Sequence, residues 1–397
     1  MSNVTSIQKT SSMRLTGISI EPDLGHEIGI ELPLTGTVAI EKASFPKIKD
    51  YRAGKRHLHL DIKRGNLFHL CASLDPRYIC CSTHVVAHVS NCPFECTYCF
   101  LQNYLTDATL TLVADTDAIL KEVRQMIRQQ PWRTFRVGTW ELGDSLGNEF
   151  ICMSAKRLVE GFSALGNAVL KLRTKGALVE PLLHADHKGR TVISWTVNPP
   201  QVVAMEEIGT ASIEKRITAM AKAADAGYMI GLHFDPMLLF DGWKNAYKDL
   251  VQEIFSRIRT SQVCWISLGS LRFNPEMKKK IELNYPRSRI TAQEMVLGDD
   301  NKFRYVRHVR VGMYRHLLRC LKDVGADRCL IYLCMERINV WRSLFKRPPE
   351  TIGELDFMFA RSLSERFPSL GLPEPELDLY LKAADSIYKP GLCTSRA

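Results

Sequence analysis

Six short apolar runs between residues 78 and 273 alternate with segments of helical periodicity. That alternation restricts the chain more than any other feature. "YICCSTHVVAHV", "TFRVGTWE", "AVLKLRTK", "RTVISWTVN", "YMIGLHFDP" and "SQVCWISLGSLRF" read as strands. Between them lie "DTDAILKEVRQMIRQ", with a cap candidate at Asp115 or Asp117, then "CMSAKRLVEGFSAL" and the short "LVEPLLHAD". "SIEKRITAMAKAADAG", ending at Gly227, and "WKNAYKDLVQEIFSRI" complete the series. Strands alternating with helices argue for parallel βα units, hence an α/β fold built as a six-stranded βα barrel. In such a barrel the chemistry sits on the loops that follow the strand C-termini.

The flanks read differently. Residues 1–77 form an N-terminal extension with scattered runs such as "GISI" and "TVAI", and "HLHLDI" within it reads as a strand. The barrel is expected over 78–274. Residues 275–397 turn polar and basic and read as a C-terminal α/β lobe, with "RCLIYLCME" as one more strand-like run. No apolar run reaches the ~18 residues of a membrane helix. The start lacks the charged and apolar regions of a secretory signal, so a cytoplasmic protein with no membrane partner is expected. The formal net charge is +10, from 53 basic and 43 acidic residues, which suggests a polyanionic partner such as nucleic acid.

One loop carries unusual chemistry. "SNCPFECTYCF" places Cys92, Cys96 and Cys99 within eight residues, directly after the first barrel strand. In a reducing compartment a tight cysteine cluster reads as metal-binding or catalytic. Thiolates are soft ligands for zinc or for iron–sulfur clusters. Structural zinc closes four ligands, and no second cysteine pair follows; His84 or His88 would have to complete the set from within a strand. Three thiolates can instead hold three corners of a [4Fe–4S] cluster and leave the fourth iron open. Zinc, in a non-catalytic nucleic-acid-binding protein, stays as the alternative.

The spacing C-x3-C-x2-C, with the aromatic Tyr98 before the last cysteine, resembles that of the radical S-adenosylmethionine (SAM) enzymes. The resemblance implies a partial (β/α)6 radical SAM barrel. It also implies a cluster that splits SAM, a 5′-deoxyadenosyl radical that abstracts hydrogen, and an external electron donor of flavodoxin or ferredoxin type. "GTWE" at the second strand's end is similar to the family's Gly-rich segment, so Glu141 is expected to meet SAM's amino group through a charge-assisted hydrogen bond. By the same likeness Lys175 is a candidate for SAM's carboxylate and Thr196 and Asn198 for its ribose. His233 and Asp235 are further candidates on the rim.

"CTYCFLQ", "FRVGTWELGDSLGNE", "SIEKRITAMAKAADAGYMIGLHFDP", "DGWKNAYKDL" and "KKKIELNYPRSRI" narrow the resemblance to the spore photoproduct lyase family, over about residues 51–320. The resemblance implies cleavage of a crosslinked thymine dimer in DNA, closed by hydrogen return from a cysteine. Where the family has that cysteine this chain has Glu141, and where the family has a relaying tyrosine it has Phe100, which leaves Tyr98 as the candidate catalytic tyrosine. Cys152 and Cys264 are candidate replacement thiols. The stretch 302–319 carries Lys302, Arg304, Arg307, Arg310, Arg315 and Arg319, interleaved with Phe303, Tyr305 and Tyr314, and no acid. Cations neutralise phosphates and aromatics stack on bases, so Lys302, Arg304 and Arg307 are candidate DNA contacts. The matching family region is a hairpin that enters the lesion.

Overall fold

A computed structural model describes residues 17–20, 40–42, 47–61, 67–71, 75, 77–149 and 153–387. Its centre is an eight-stranded sheet. Seven strands run parallel in chain order: β1 (His84–Val86), β2 (Phe135–Gly138), β3 (Ala168–Thr174), β4 (Thr191–Thr196), β5 (Met229–Met237), β6 (Val263–Ser270) and β7 (Leu330–Leu333). The strand Phe68–Leu70 adds antiparallel to β1 at the edge. Both faces of these strands are covered, which is why they read as nearly continuous apolar runs. On β5, Phe234 faces the helix Trp243–Arg257 through Tyr247, so His233 and Asp235 face the lumen.

The sheet is one parallel strand larger than the sequence suggested. Leu330–Leu333 pairs with β6 and so continues the barrel beyond the edge expected near residue 274. The polar, basic stretch that suggested the edge forms the helices Pro275–Asn284 and Arg307–Asp323 and a small antiparallel sheet, all inserted between β6 and β7. The "LVEPLLHAD" segment forms a single 3₁₀ turn, Glu180–Leu182, in place of the expected short helix. Asp115 does cap its helix, accepting from the Ala118 amide at 2.8 Å.

Two further features position the site. The helix Ile352–Arg366 plugs the end of the barrel where the strands begin. Its Asp356 takes Arg133 at 2.6 Å and Arg136 at 2.7 Å, and its Phe359 packs on Trp265 and Tyr332. Burial would raise the Asp356 pKa, but the two guanidiniums outweigh it and hold the carboxylate ionised. At the other end, Ile79 bridges antiparallel to Glu336, drawing the segment that enters β1 toward the segment that leaves β7. Among the described residues the plug covers the end where the strands begin, and the cysteine loop follows β1 at the opposite end.

Candidate active site

The loop after β1 is built by contacts that hold its backbone. Strand Val89–Ser90 pairs with Leu110–Val113 of a second, mainly parallel sheet formed with Gly17–Ile20, Ile40–Lys42 and His57–Asp61. Asn91 then takes a left-handed φ of 66° and its side chain accepts from the Cys92 amide at 2.7 Å. The buried Lys55 ammonium donates to the carbonyls of Cys92 and Phe94 and to Asn91. A buried cation satisfied by carbonyls keeps a loop in one conformation and adds positive potential beside it.

The same loop is strapped from the other side. Glu95–Cys96 forms a two-residue antiparallel ladder with Glu207–Ile208, which sets Cys96 opposite Glu207. Glu207 is fully buried. It pairs with the equally buried Arg216 at 2.6 Å, accepts from Asn198 Nδ2 at 2.9 Å and accepts the Tyr98 hydroxyl. Burial would raise its pKa, yet Arg216 and Lys175 hold it below the usual carboxylate range. Next to it, Glu206 accepts from Thr97 Oγ1 at 2.5 Å and Ser288 at 2.7 Å.

Cys92, Cys96 and Cys99 lie together in one apolar cluster with Phe94, Leu101 and Tyr51. Burial pushes the Cys92 thiol up to about 12 and raises Cys96 as well. Among the described residues, no three His, Cys, Asp or Glu side chains close on one point as a single ion requires. Tetrahedral zinc needs its sulfurs about 2.3 Å from the metal. His84 is stacked on Phe68 and set against Phe135, and burial lowers its pKa to about 3; His88 is buried and lowered to about 4. Among the described residues, neither histidine joins the three cysteines in a metal-holding group.

The other expected site residues divide into groups. Lys175 places its ammonium 5.5 Å from the Tyr98 ring, beside the cysteine loop. Asn198 is spanned by Glu207 and Tyr247, each at 2.9 Å. Thr196 accepts from Arg173 at 3.2 Å, and Asp235 pairs with Arg272 at 3.0 Å. His233 is 2% exposed and neither ring nitrogen has a hydrogen-bond partner; burial holds it neutral. Glu141 lies 2.7 Å from His69 on the edge strand. Cys264 donates outward to the Ile230 carbonyl, and Cys152 lies outside the described residues.

The basic stretch needs correction. Arg304 is 4% exposed and paired at 2.5 Å with Asp300, and Arg310 is buried against Glu336. Lys302 lies 3.8 Å from Asp300. Tyr305 and Tyr314 are core residues whose hydroxyls bind the Leu239 and Ser270 amides. Arg304 is thus an internal ion pair, while Arg307 is exposed. The segment Met295–Tyr305 does form a hairpin, with Val296 and Leu297 about half exposed. Beside it a pocket of about 190 Å³ is lined by Tyr78, Val296, Asp299, Arg307 and Arg337.

Sequence reasoning missed Lys55, Glu207 and His69. "MEEIG" carried the one visible signal, two adjacent acids in an otherwise apolar turn.

The spore photoproduct lyase family model matches residues 41–319. The chain belongs to the spore photoproduct lyase family. Within the family, it is 26% identical to the spore photoproduct lyase of Bacillus subtilis (strain 168) over 288 residues, 70% of this chain and 82% of that protein. It is 27% identical to that of Geobacillus sp. (strain Y412MC61) over 214 residues, 53% of this chain and 63%, under two thirds, of the relative. A mutant spore photoproduct lyase solved with dinucleoside spore photoproduct superposes with a TM-score of 0.70 at 22% identity, covering 81% of this chain and 99% of that one. Another, with bound AdoMet and dinucleoside spore photoproduct, gives 0.68 at 23%, covering 81% and 98%. The fold is the family's radical SAM fold. No helix among the described residues is long and apolar enough to cross a membrane.

The pair at β2's end makes a checkable prediction. The hydrogen bond to Glu141 raises the His69 pKa above 6.5. A raised folded value means the pair stabilises fully below the unfolded pKa and is lost as pH rises through the folded one. His69 is 39% exposed at its side chain, so solvent screening keeps the contribution small. An NMR titration should show His69 above 6.5 and falling back toward it in Glu141→Gln.

Proposed function

We infer that the chain is a radical SAM enzyme that binds a [4Fe–4S] cluster and SAM and acts on a thymine photolesion in DNA. One observation carries this reading. Three thiols share a single loop at the mouth of the barrel, gathered in one cluster and clamped by Lys55 and by the Glu207 strap. Soft, thiolate-only donors on a fixed loop fit an iron–sulfur cluster held at three corners. Bound there, the cluster would supply the electron that splits SAM's sulfonium and starts hydrogen abstraction.

This chain's residues then have positioning work. Lys55 and Lys175 bring positive charge to a loop that must carry three thiolates. Tyr98, through its bond to Glu207, fixes the loop's far side. Glu141, oriented by His69, is placed at β2's end for SAM's ammonium. The single carboxylate–ammonium contact is worth about 1.5–3 kcal/mol. Glu141→Ala should therefore weaken SAM binding by about ten- to a hundredfold, read by equilibrium dialysis. Thr196 and His233 line the lumen for the nucleoside.

DNA is supported by the net charge of +10 and by exposed Arg307, which lies beside a hairpin whose strand leaves Val296 and Leu297 about half exposed. Affinity for duplex DNA should fall steeply with salt, and Arg307→Glu should lower the slope of log K against log salt by about one. Arg304→Glu should act on folding, since it strips a buried pair. The deciding experiment is anaerobic reconstitution, then incubation with SAM, a low-potential reductant and dinucleoside spore photoproduct. The reading predicts both 5′-deoxyadenosine and restored thymine. A colourless protein that releases neither would refute it.

A further inference from the structure

A hydrogen abstraction leaves an unpaired electron on substrate carbon, and a closed-shell product needs a hydrogen atom returned. Among side chains a thiol gives one readily, because its S–H bond is weak and transfers fast to a carbon radical; the Tyr98 O–H is engaged by Glu207. The useful thiol must therefore be protonated, accessible and at the open end of the barrel. Cys264 faces outward into the core, bonded to Ile230. Cys81 sits against Lys171 and Arg136 and accepts from Cys80, which favour its thiolate, and a thiolate has no hydrogen to give.

Cys334 meets the three conditions. It follows β7 directly, at the same barrel end as the cysteine loop, and faces the lumen two residues beyond Tyr332, which packs on the plug. It is partly exposed. Its sulfur accepts from Arg272 Nη2 at 3.2 Å, and Arg272 in turn holds Asp235. Burial and the Asp235 charge keep it a thiol. The antiparallel continuation from the Ile79–Glu336 bridge sets it beside Cys81.

A second observation points to a ligand here. His233 lies two residues before Asp235 on the same lumen face, almost wholly buried, with neither ring nitrogen hydrogen-bonded. Buried polar groups are nearly always satisfied, so an orphaned imidazole marks where a bound molecule supplies the partner. Gly269, on the neighbouring strand, makes room for the Asp235–Arg272 pair that holds the Cys334 sulfur: a Cβ there would lie 2.4 Å from Asp235 Oδ1 and 3.1 Å from Arg272.

We propose that Cys334 is the hydrogen-atom donor of this enzyme, acting on a substrate radical held in the lumen beside His233. The inference rests on the function proposed above. The Cys334 S–H bond breaks, a C–H bond forms on the product, and a thiyl radical remains on sulfur. An electron from the flavodoxin- or ferredoxin-type donor and a solvent proton restore the thiol. SAM is then consumed once per product.

The test uses the reconstituted full chain in D₂O, where the thiol becomes S–D, with dinucleoside spore photoproduct as substrate. The wild type should place one solvent deuterium in the restored thymine. In Cys334→Ser the ratio of labelled thymine to 5′-deoxyadenosine should fall by about tenfold or more, because a hydroxyl replaces a step made only in turnover. Cys264→Ser should leave that ratio unchanged. Independently of turnover, the dinucleoside should protect Cys334 from iodoacetamide in the unreconstituted chain, read by mass spectrometry. An undiminished ratio in Cys334→Ser, or alkylation indifferent to the dinucleoside, overturns the donor role while leaving SAM cleavage intact. Absence of 5′-deoxyadenosine from the wild type overturns the underlying function and the donor role together.

Discussion

Cys96→Ala is expected to abolish 5′-deoxyadenosine formation. Mutations outside a metal's ligand set commonly cost about 10–100-fold in metal affinity or activity, and losing one of only three protein ligands should exceed that. Iron content and the visible absorbance of the reconstituted protein should fall with it. Cys96 is the most exacting of the three to test. It lies in the ladder opposite Glu207 and is 5% exposed, so its alanine variant keeps the backbone pairing while removing the sulfur. A variant that still produces 5′-deoxyadenosine would remove Cys96 from the cluster.

Much of the scaffold could be read from the chain because parallel strands buried on both faces leave a strong local signal. All six apolar runs became β1 to β6. The seventh, Leu330–Leu333, was visible as a strand but not as part of the barrel. The 59 residues between β6 and β7 carry their own helices and small sheet, and periodicity cannot say which sheet a strand joins. The cysteine loop was legible for a similar reason, since its three cysteines lie within eight residues. What holds the loop was not. Glu207 reaches Tyr98 across 109 residues, and Lys55 reaches Cys92 across 37. Partners that distant are chosen by topology, so neither residue differs locally from a surface charge.

The basic stretch shows the converse error. Lys302 to Arg319 contains no acid, and by composition it is a cationic face. Folding supplies acids from outside the window: Asp300 for Arg304 and Glu336 for Arg310. Of the three expected contacts, Lys302 and Arg304 share Asp300, and Arg307 carries the claim on phosphate. A charge run becomes evidence for a polyanion only after its internal pairs are subtracted.

Arg216→Ala is expected to be among the most destabilising single changes, by about 3–5 kcal/mol, because it leaves the Glu207 carboxylate buried and uncompensated. Arg216 and Glu207 are both fully buried, and Arg216 also donates to the Thr196 carbonyl at 2.9 Å and to Thr210 at 2.6 Å. The consequence should extend beyond stability. With Arg216 gone, Glu207 would take up a proton, and its bonds to Tyr98 and Asn198 and its ladder with Cys96 would loosen together. Iron retained after reconstitution should therefore fall even in the fraction that stays folded, measured after gel filtration. Glu207→Gln in the same background should recover part of the stability, since a neutral amide still meets Tyr98 and Asn198 without the stranded charge. If Arg216→Ala lowers the unfolding midpoint but the folded fraction loads iron normally, the strap stabilises the barrel without organising the cysteine loop.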